Sequence, residues 1–258
     1  VNTARGFGGS LGIYTAALLI GGDTYNPFPN RVANVEQWDG TNWTEVGDLN
    51  TARSAGEGAG TTTDGIFFGG TTGSVVGNTE AWNGSAWTEV NDLATARSTP
   101  AGDGTGSVAF AAGGYTTTHV ANTEEWTFSG LDPSTTPAAD YADAITGDFY
   151  YNSTTGQFKT VNTGGAPIGS WSSGGSLNTS RGGLVSVSHG SQTSGLVFGG
   201  FTPSLVGATE KYDGSSWAES GDLNTARARI LAGGTQTSGL AAGGYAPPGA
   251  QDVAEEFN

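Results

Sequence analysis

The segment Asn50-Thr-Ala-Arg53, then Gly65-Ile-Phe-Phe-Gly-Gly70, Asn78-Thr-Glu-Ala-Trp82, Asn83-Gly84 and Trp87-Thr-Glu-Val90, closing at Leu93, decides the fold. Each of its parts recurs in the same order. The Arg phrase returns at Asn2–Arg5, Ala94–Arg97, Asn178–Arg181 and Asn224–Arg227. An apolar run closing in Gly-Gly ends at Gly22, Gly70, Gly114, Gly200 and Gly244, at intervals of 48, 44, 86 and 44 residues. Glu-x-aromatic follows, as Glu36/Trp38, Glu80/Trp82, Glu124/Trp126, Glu210/Tyr212 and Glu255/Phe257. A second Trp stands at Trp43, Trp87, Trp171 and Trp217, and each of these segments ends in Leu (Leu49, Leu93, Leu177, Leu223). A fixed period of this length marks a repeat architecture in which one supersecondary unit is copied.

Within a unit the pattern predicts four short strands. The first is Gly/Ala-rich (around 53–60), the second is Gly65 to Gly70, the third Asn78 to Trp82 and the fourth Trp87 to Val90. Asp39-Gly40, Asn83-Gly84 and Asp213-Gly214 sit between the last two strands, where a tight hairpin needs φ > 0. No segment sustains a 3.6-residue apolar period, so no long helix is expected. The small first strand and the ring-bearing third and fourth suit a blade that is crowded at an axis and widens outward. Dividing the chain by a unit of roughly 44 residues predicts an all-β, six-bladed propeller with four-stranded antiparallel blades. The expected units are about 1–49, 50–93, 94–130, 131–177, 178–223 and 224–258, forming one domain. The long interval is read as hiding a divergent blade at about 131–177, with strands at 138–145, 147–152, 157–161 and 169–177. The last unit stops after its third strand and is expected to be incomplete; the open readings are residues missing from this excerpt, a second copy or partner chain that supplies the strand, or an imperfectly closed ring.

The repeat resembles the kelch family: apolar residues, Gly-Gly, a spacer, an aromatic, then a Trp five or six residues later. The likeness covers the chain except 127–170, and it departs in carrying Thr-Ala-Arg where many kelch units have Pro-Arg. It implies a propeller scaffold. Thr-Ala-Arg, Gly234-Thr-Gln-Thr237 and Asn-Gly-Ser-x-Trp are also similar in style to repeat proteins of marine bacteriophages, which are regarded as virion or tail-fibre components.

Charge narrows the functions. Nine basic residues face 24 acidic ones, a net −15, so phosphate backbones and anionic lipid are repelled and neither nucleic acid nor membrane is an expected partner. The longest apolar run, Ala16 to Ile20, is too short to span a bilayer. Without Cys there is no thiolate metal site, no Cys nucleophile and no Tyr–Cys cross-link of the kind used by kelch-like copper oxidases. A start at Val1 and the absence of Met fit a processed chain or an excerpt.

Arg5, Arg53, Arg97, Arg181 and Arg227 recur in step with Glu36, Glu80, Glu124, Glu210 and Glu255. The favoured reading pairs each Arg with a repeated Glu as a structural clamp, because catalytic residues have no reason to be copied into every unit; the alternative is an Arg ring that binds an anion. His119 falls in a loop and His189 between a first and a second strand, so a metal site would need partners converging from unrelated loops. Sialidase-like chemistry lacks its Asp-box pattern. No cofactor or metal is expected, and the chain is read as not an enzyme. Asn42, Asn83, Asn152 and Asn178 match the glycosylation triplet, but three lie at or beside turns that favour Asn anyway. Candidate ligand contacts are the spacer residues Tyr25, Phe28, Arg31, Tyr115, His119, Phe201 and Tyr245, where rings beside hydroxyls could stack on sugars. The expected role is a structural or binding propeller, virion-exposed or otherwise extracellular, with host glycan or other virion proteins as partners. A secreted bacterial carbohydrate-binding or adhesion protein is the alternative, and a central-channel enzyme the third reading.

Overall fold

The computed structural model describes residues 1–25, 29–128, 149–152, 157–160, 169–187 and 191–258. All of its regular structure is β. Sheet 1 comprises Gly9–Ile13, Ala16–Ile20, Val35–Trp38 and Trp43–Glu45; sheet 2 comprises Glu57–Thr61, Asp64–Phe68, Thr79–Trp82 and Trp87–Val90. Sheet 3 is Ala101–Gly104, Val108–Ala112, Thr123–Phe128 and Gly169–Gly174, and sheet 4 is Val185–Ser186, Gly195–Phe198, Thr209–Tyr212 and Trp217–Glu219. Sheet 5 has three strands, Leu231–Thr235, Ser238–Ala242 and Ala254–Phe257. All five are antiparallel meanders in which the first strand lies at one edge.

The strand at 169–174, expected to close a separate divergent blade at about 131–177, belongs instead to the third sheet. Gly169–Gly174 pairs with Thr123–Phe128 and places Trp171 opposite Trp126, so it is the fourth strand of sheet 3. Phe149–Asn152 and Gln157–Thr160 pair with each other as a two-stranded hairpin within the connection, and the strand expected at 138–145 lies outside the described residues. The described residues therefore contain five repeats of the sheet pattern, not six. The reason is physical. Every other complete sheet sets an aromatic of strand three against the Trp of strand four, as Trp38↔Trp43, Trp82↔Trp87 and Tyr212↔Trp217. Trp171 supplies that partner for Trp126, with ring centroids 5.5 Å apart, and its edge packs on Phe68 of sheet 2 at 5.0 Å. Lengthening a hairpin connection costs closure entropy that grows only with the logarithm of its length, so a long insertion leaves the pairing favourable.

Turn chemistry sets the ordinary hairpins. The Oδ1 of Asp39, Asn83 and Asp213 accepts the N–H groups two and three residues on, and Gly40, Gly84 and Gly214 follow with φ of 93°, 93° and 92°. These contacts hold the Asp213 carboxyl down at about 2: the Ser216 N–H acts first, then the Ser215 hydroxyl and N–H.

The core is divided among the gaps between successive sheets. Leu18 and Ile20 meet Phe67, Trp82 and Trp87; Ile66 and Phe68 meet Ala109 and Trp126. Phe110 and Leu177 meet Tyr212 and Trp217, and Leu196 and Phe198 meet Ile230 and Ala241. First strands of successive sheets are neighbours throughout. The Arg229 guanidinium lies 5.4 Å from the Phe7 ring, and residues of all five first strands line one shared cavity.

Each repeated Arg makes an ion pair with the repeated Glu of its own unit: Arg5–Glu36 at 2.6 Å, Arg97–Glu124 at 2.5 Å, and Arg53–Glu80, Arg181–Glu210 and Arg227–Glu255. The Arg side chains are fully buried, which removes them as an anion-binding ring. The guanidinium of Arg53 also donates to the carbonyls of Gly69, Thr51 and Phe67, tying the entry phrase to the second and third strands. Burial pushes the Glu36 carboxyl up, but the N–H groups of Asn2 and Thr3 and the Arg5 guanidinium outweigh it, and its pKa falls below the ordinary value.

Candidate functional site

Two residues beyond each repeated Arg the chain takes the left-handed conformation. Phe7, Ala55, Thr99, Gly183 and Arg229 have φ of 56°, 56°, 49°, 61° and 56°. Four of the five carry a side chain, in a region that favours glycine. The strain is held by a chain of backbone hydrogen bonds from unit to unit. Ala55 N–H donates to Phe7 O (2.7 Å), Thr99 N–H to Ala55 O (2.7 Å), Gly183 N–H to Thr99 O (3.4 Å) and Arg229 N–H to Gly183 O (3.1 Å). This circlet forms a polar floor, and the loops after Gly114, Gly200 and Gly244 stand beside its Thr99, Gly183 and Arg229.

What those loops carry differs by unit. The residue after Gly-Gly is Asp23 in the first unit and Thr71 in the second, then Tyr115, Phe201 and Tyr245. Each of these three aromatics bridges to the residue just before the circlet position: Ser98↔Tyr115, Gly182↔Phe201 and Ala228↔Tyr245. His119 turns back beside Tyr115 and lies between two rings, 5.3 Å from Tyr115 and 5.4 Å from Phe201, edge-on to both. The result is a cleft of about 840 Å³ across units three to five, with Arg229, Leu205 and Pro247 completing its wall and Thr99 and Gly183 its floor. Tyr115, Phe201 and Tyr245 are 41 %, 43 % and 45 % exposed, ring surface that the protein leaves open to solvent.

Of the seven candidates, the structure thus brings Tyr115, His119, Phe201 and Tyr245 together. Tyr25 and Arg31 do not line this cleft. Tyr25 instead lies over Gly6, where an added Cβ would sit 2.3 Å from its hydroxyl, and Arg31 pairs with Asp23 in a small sheet. Phe28 and His189 lie outside the described residues. Arg229 was missed because nothing repeats at its position. Aligning the units would have shown it as the one cation at a site otherwise held by Phe, Ala, Thr and Gly.

A second cavity of about 300 Å³ lies where the first strands converge, lined mostly by Gly, Ala and Ser with Glu57 and Asp103. Burial, helped by the nearby Asp103 charge against the opposing Gly58 N–H, pushes the Glu57 carboxyl up to about 8. This cavity can hold a proton on Glu57 near neutral pH. Among the described residues no group of three His, Asp or Glu converges as a metal site.

The fold resembles that of YjhT. The two chains share 12 % sequence identity with a TM-score of 0.67, over 97 % of this chain and 80 % of that one. At that identity the likeness concerns the fold alone. No protein-family profile matches the sequence, and no curated protein matches it either.

Proposed function

We propose that the five sheets are blades of a propeller closed around the central cavity, and that the propeller is a non-enzymatic binding module whose loop-face cleft takes a sugar ring. The closure reading rests on the five first strands sharing one cavity and on the Arg229–Phe7 contact across the last gap. The single observation that carries the binding reading is the cleft itself, with three half-open aromatic rings and His119 beside the hydroxyls of Ser98, Thr99 and Ser204. Rings offer their faces to the C–H surface of a sugar while hydroxyls fix its orientation. No carboxylate stands among the described lining residues, so the paired acids of glycoside hydrolysis are missing from this site. The style of the repeat supports a virion-exposed setting with host glycan as the target.

The test is a glycan array probed with the wild-type chain, Phe201→Ala and Tyr245→Ala. Loss of one stacked ring is expected to weaken the bound glycan by about twofold to twelvefold, the scale of about 0.5–1.5 kcal/mol for an aromatic contact. Binding that is unaffected by both substitutions, or the absence of any bound glycan, would remove the cleft from the account.

A further inference from the structure

Among the described residues sheet 5 has three strands where the other sheets have four, and the four complete copies show what the fourth strand does. Its Trp stands opposite the aromatic of strand three, and in sheets 3 and 4 the indole N–H reaches back across the gap to the preceding sheet. Trp171 Nε1 donates to Thr79 Oγ1 (3.1 Å), and Trp217 Nε1 donates to Thr123 Oγ1 (2.9 Å). In sheet 2 the preceding sheet offers Val35 at this place, and there the Trp87 Nε1 is buried without a partner. The next acceptor in the series is Thr209 of sheet 4. Thr209 is fully buried, and its Oγ1 has no hydrogen-bond partner.

A second group points the same way. The amide Nδ2 of Asn2, Asn50 and Asn178 donates to the carbonyl of the fourth-strand Trp in its own unit, at 3.1, 3.0 and 3.1 Å. Asn224, their counterpart in unit five, keeps the amide bond to its clamp carboxylate, Glu255, that Asn50 and Asn178 make to Glu80 and Glu210, but among the described residues no fourth-strand Trp carbonyl faces it. Glu255 is correspondingly the most open of the five clamp carboxylates, at 16 % against 0–5 %. A backbone edge at Ala254–Phe257, an orphaned buried hydroxyl and an asparagine amide thus outline one absent strand. An open edge of this kind is a template for strand addition.

We propose that this edge docks an extended polypeptide segment from outside these 258 residues. The segment adds antiparallel to Ala254–Phe257 and carries a Trp opposite Phe257, with its indole N–H donated to Thr209 Oγ1 and the Trp carbonyl accepting from Asn224. The turn and strand of the chain's own repeat, Gly-Ser-x-Trp-x-Glu, define the chemistry of the occupant.

The probe is a fluorescein-labelled peptide of residues 83–90 (Asn-Gly-Ser-Ala-Trp-Thr-Glu-Val), titrated with the whole chain and followed by anisotropy. Saturable binding is expected. It should fall at least tenfold when the peptide Trp is replaced by Ala, and about threefold to tenfold in Thr209→Val, the range of one hydrogen bond. Unliganded Thr209→Val should melt no lower than wild type because its hydroxyl has no partner to lose, whereas Thr123→Val, which loses the bond from Trp217, should melt lower. No binding, equal binding without the Trp, or undiminished binding to Thr209→Val overturns the proposal. Sedimentation as a dimer that the peptide does not dissociate overturns it too, since a second copy would then occupy the edge.

Discussion

Replacing Glu80 by Gln tests the clamp on which every unit depends. Arg53 and Glu80 are both fully buried. The carboxylate accepts from Asn50 N–H (2.7 Å), Asn50 Nδ2 (2.9 Å), Thr51 N–H (3.3 Å) and the Arg53 guanidinium. Gln keeps one oxygen and turns the other position into a donor that faces donors. It also leaves the Arg53 charge buried and uncompensated. Removing one partner of a buried pair costs about 3–5 kcal/mol. At about 2–4 °C per kcal/mol for a chain of this size, the Tm should fall by about 6–20 °C in a thermal melt followed by circular dichroism. Glu255→Gln should cost less, because Glu255 is 16 % exposed and water shares in solvating its Arg. A Glu80→Gln melt within about 2 °C of wild type would refute the reasoning, and so would a Glu255→Gln loss that equals or exceeds it.

Glu57 predicts a pH dependence. Its folded pKa, about 8, lies above the ordinary value of 4.5, so the folded state holds a proton that the unfolded chain has released. Stability from this group is therefore full below about pH 4.5 and is lost as pH rises through 8. Melts from pH 5 to 8.5 should show a falling Tm, and Glu57→Gln should flatten that fall; an equal slope in both proteins would contradict it. Gly84→Ala places a side chain at φ 93° in the second sheet's hairpin and should cost about 1–2 kcal/mol by denaturant unfolding. No change in midpoint would argue against that backbone conformation.

Much of this architecture was legible in the residues, and the parts that were not share a cause. The strands of the ordinary units and the Arg–Glu clamp could be read because five copies repeat them in register. The third sheet misled because the interval from Gly114 to Gly200 is close to two units long. That coincidence suggested a hidden blade ending at Leu177, whereas Gly169–Gly174 completes sheet 3. The counter-signal was present: Trp126 has no second Trp nearby, and of the four second Trp residues Trp171 alone has no third-strand aromatic just before it. Tyr115, His119, Phe201 and Tyr245 were accessible as rings in variable spacers. Their convergence was not, because it depends on bridges to Ser98, Gly182 and Ala228 and on the left-handed circlet beneath. Five different residues occupy that circlet, so no motif announces it. Glu57 and Asp103 were hidden for a similar reason, as single acids in first strands that read as small-residue packing.

The central claim is that sheet 3 takes its fourth strand from Gly169–Gly174, across the connection from Phe128. The most direct test replaces residues 127–170 by Asn-Gly-Ser-Ala, the four residues that join Trp82 to Trp87. Trp126 and Trp171 would then be joined as in sheet 2, and calorimetry should record one cooperative transition within about 5 °C of the parent, since the shorter connection lowers the closure-entropy cost and, of the described core contacts, only that of Phe128 is removed. If 131–177 were a blade of its own, the same excision would delete a whole sheet from the ring, and loss of the cooperative transition would contradict the account.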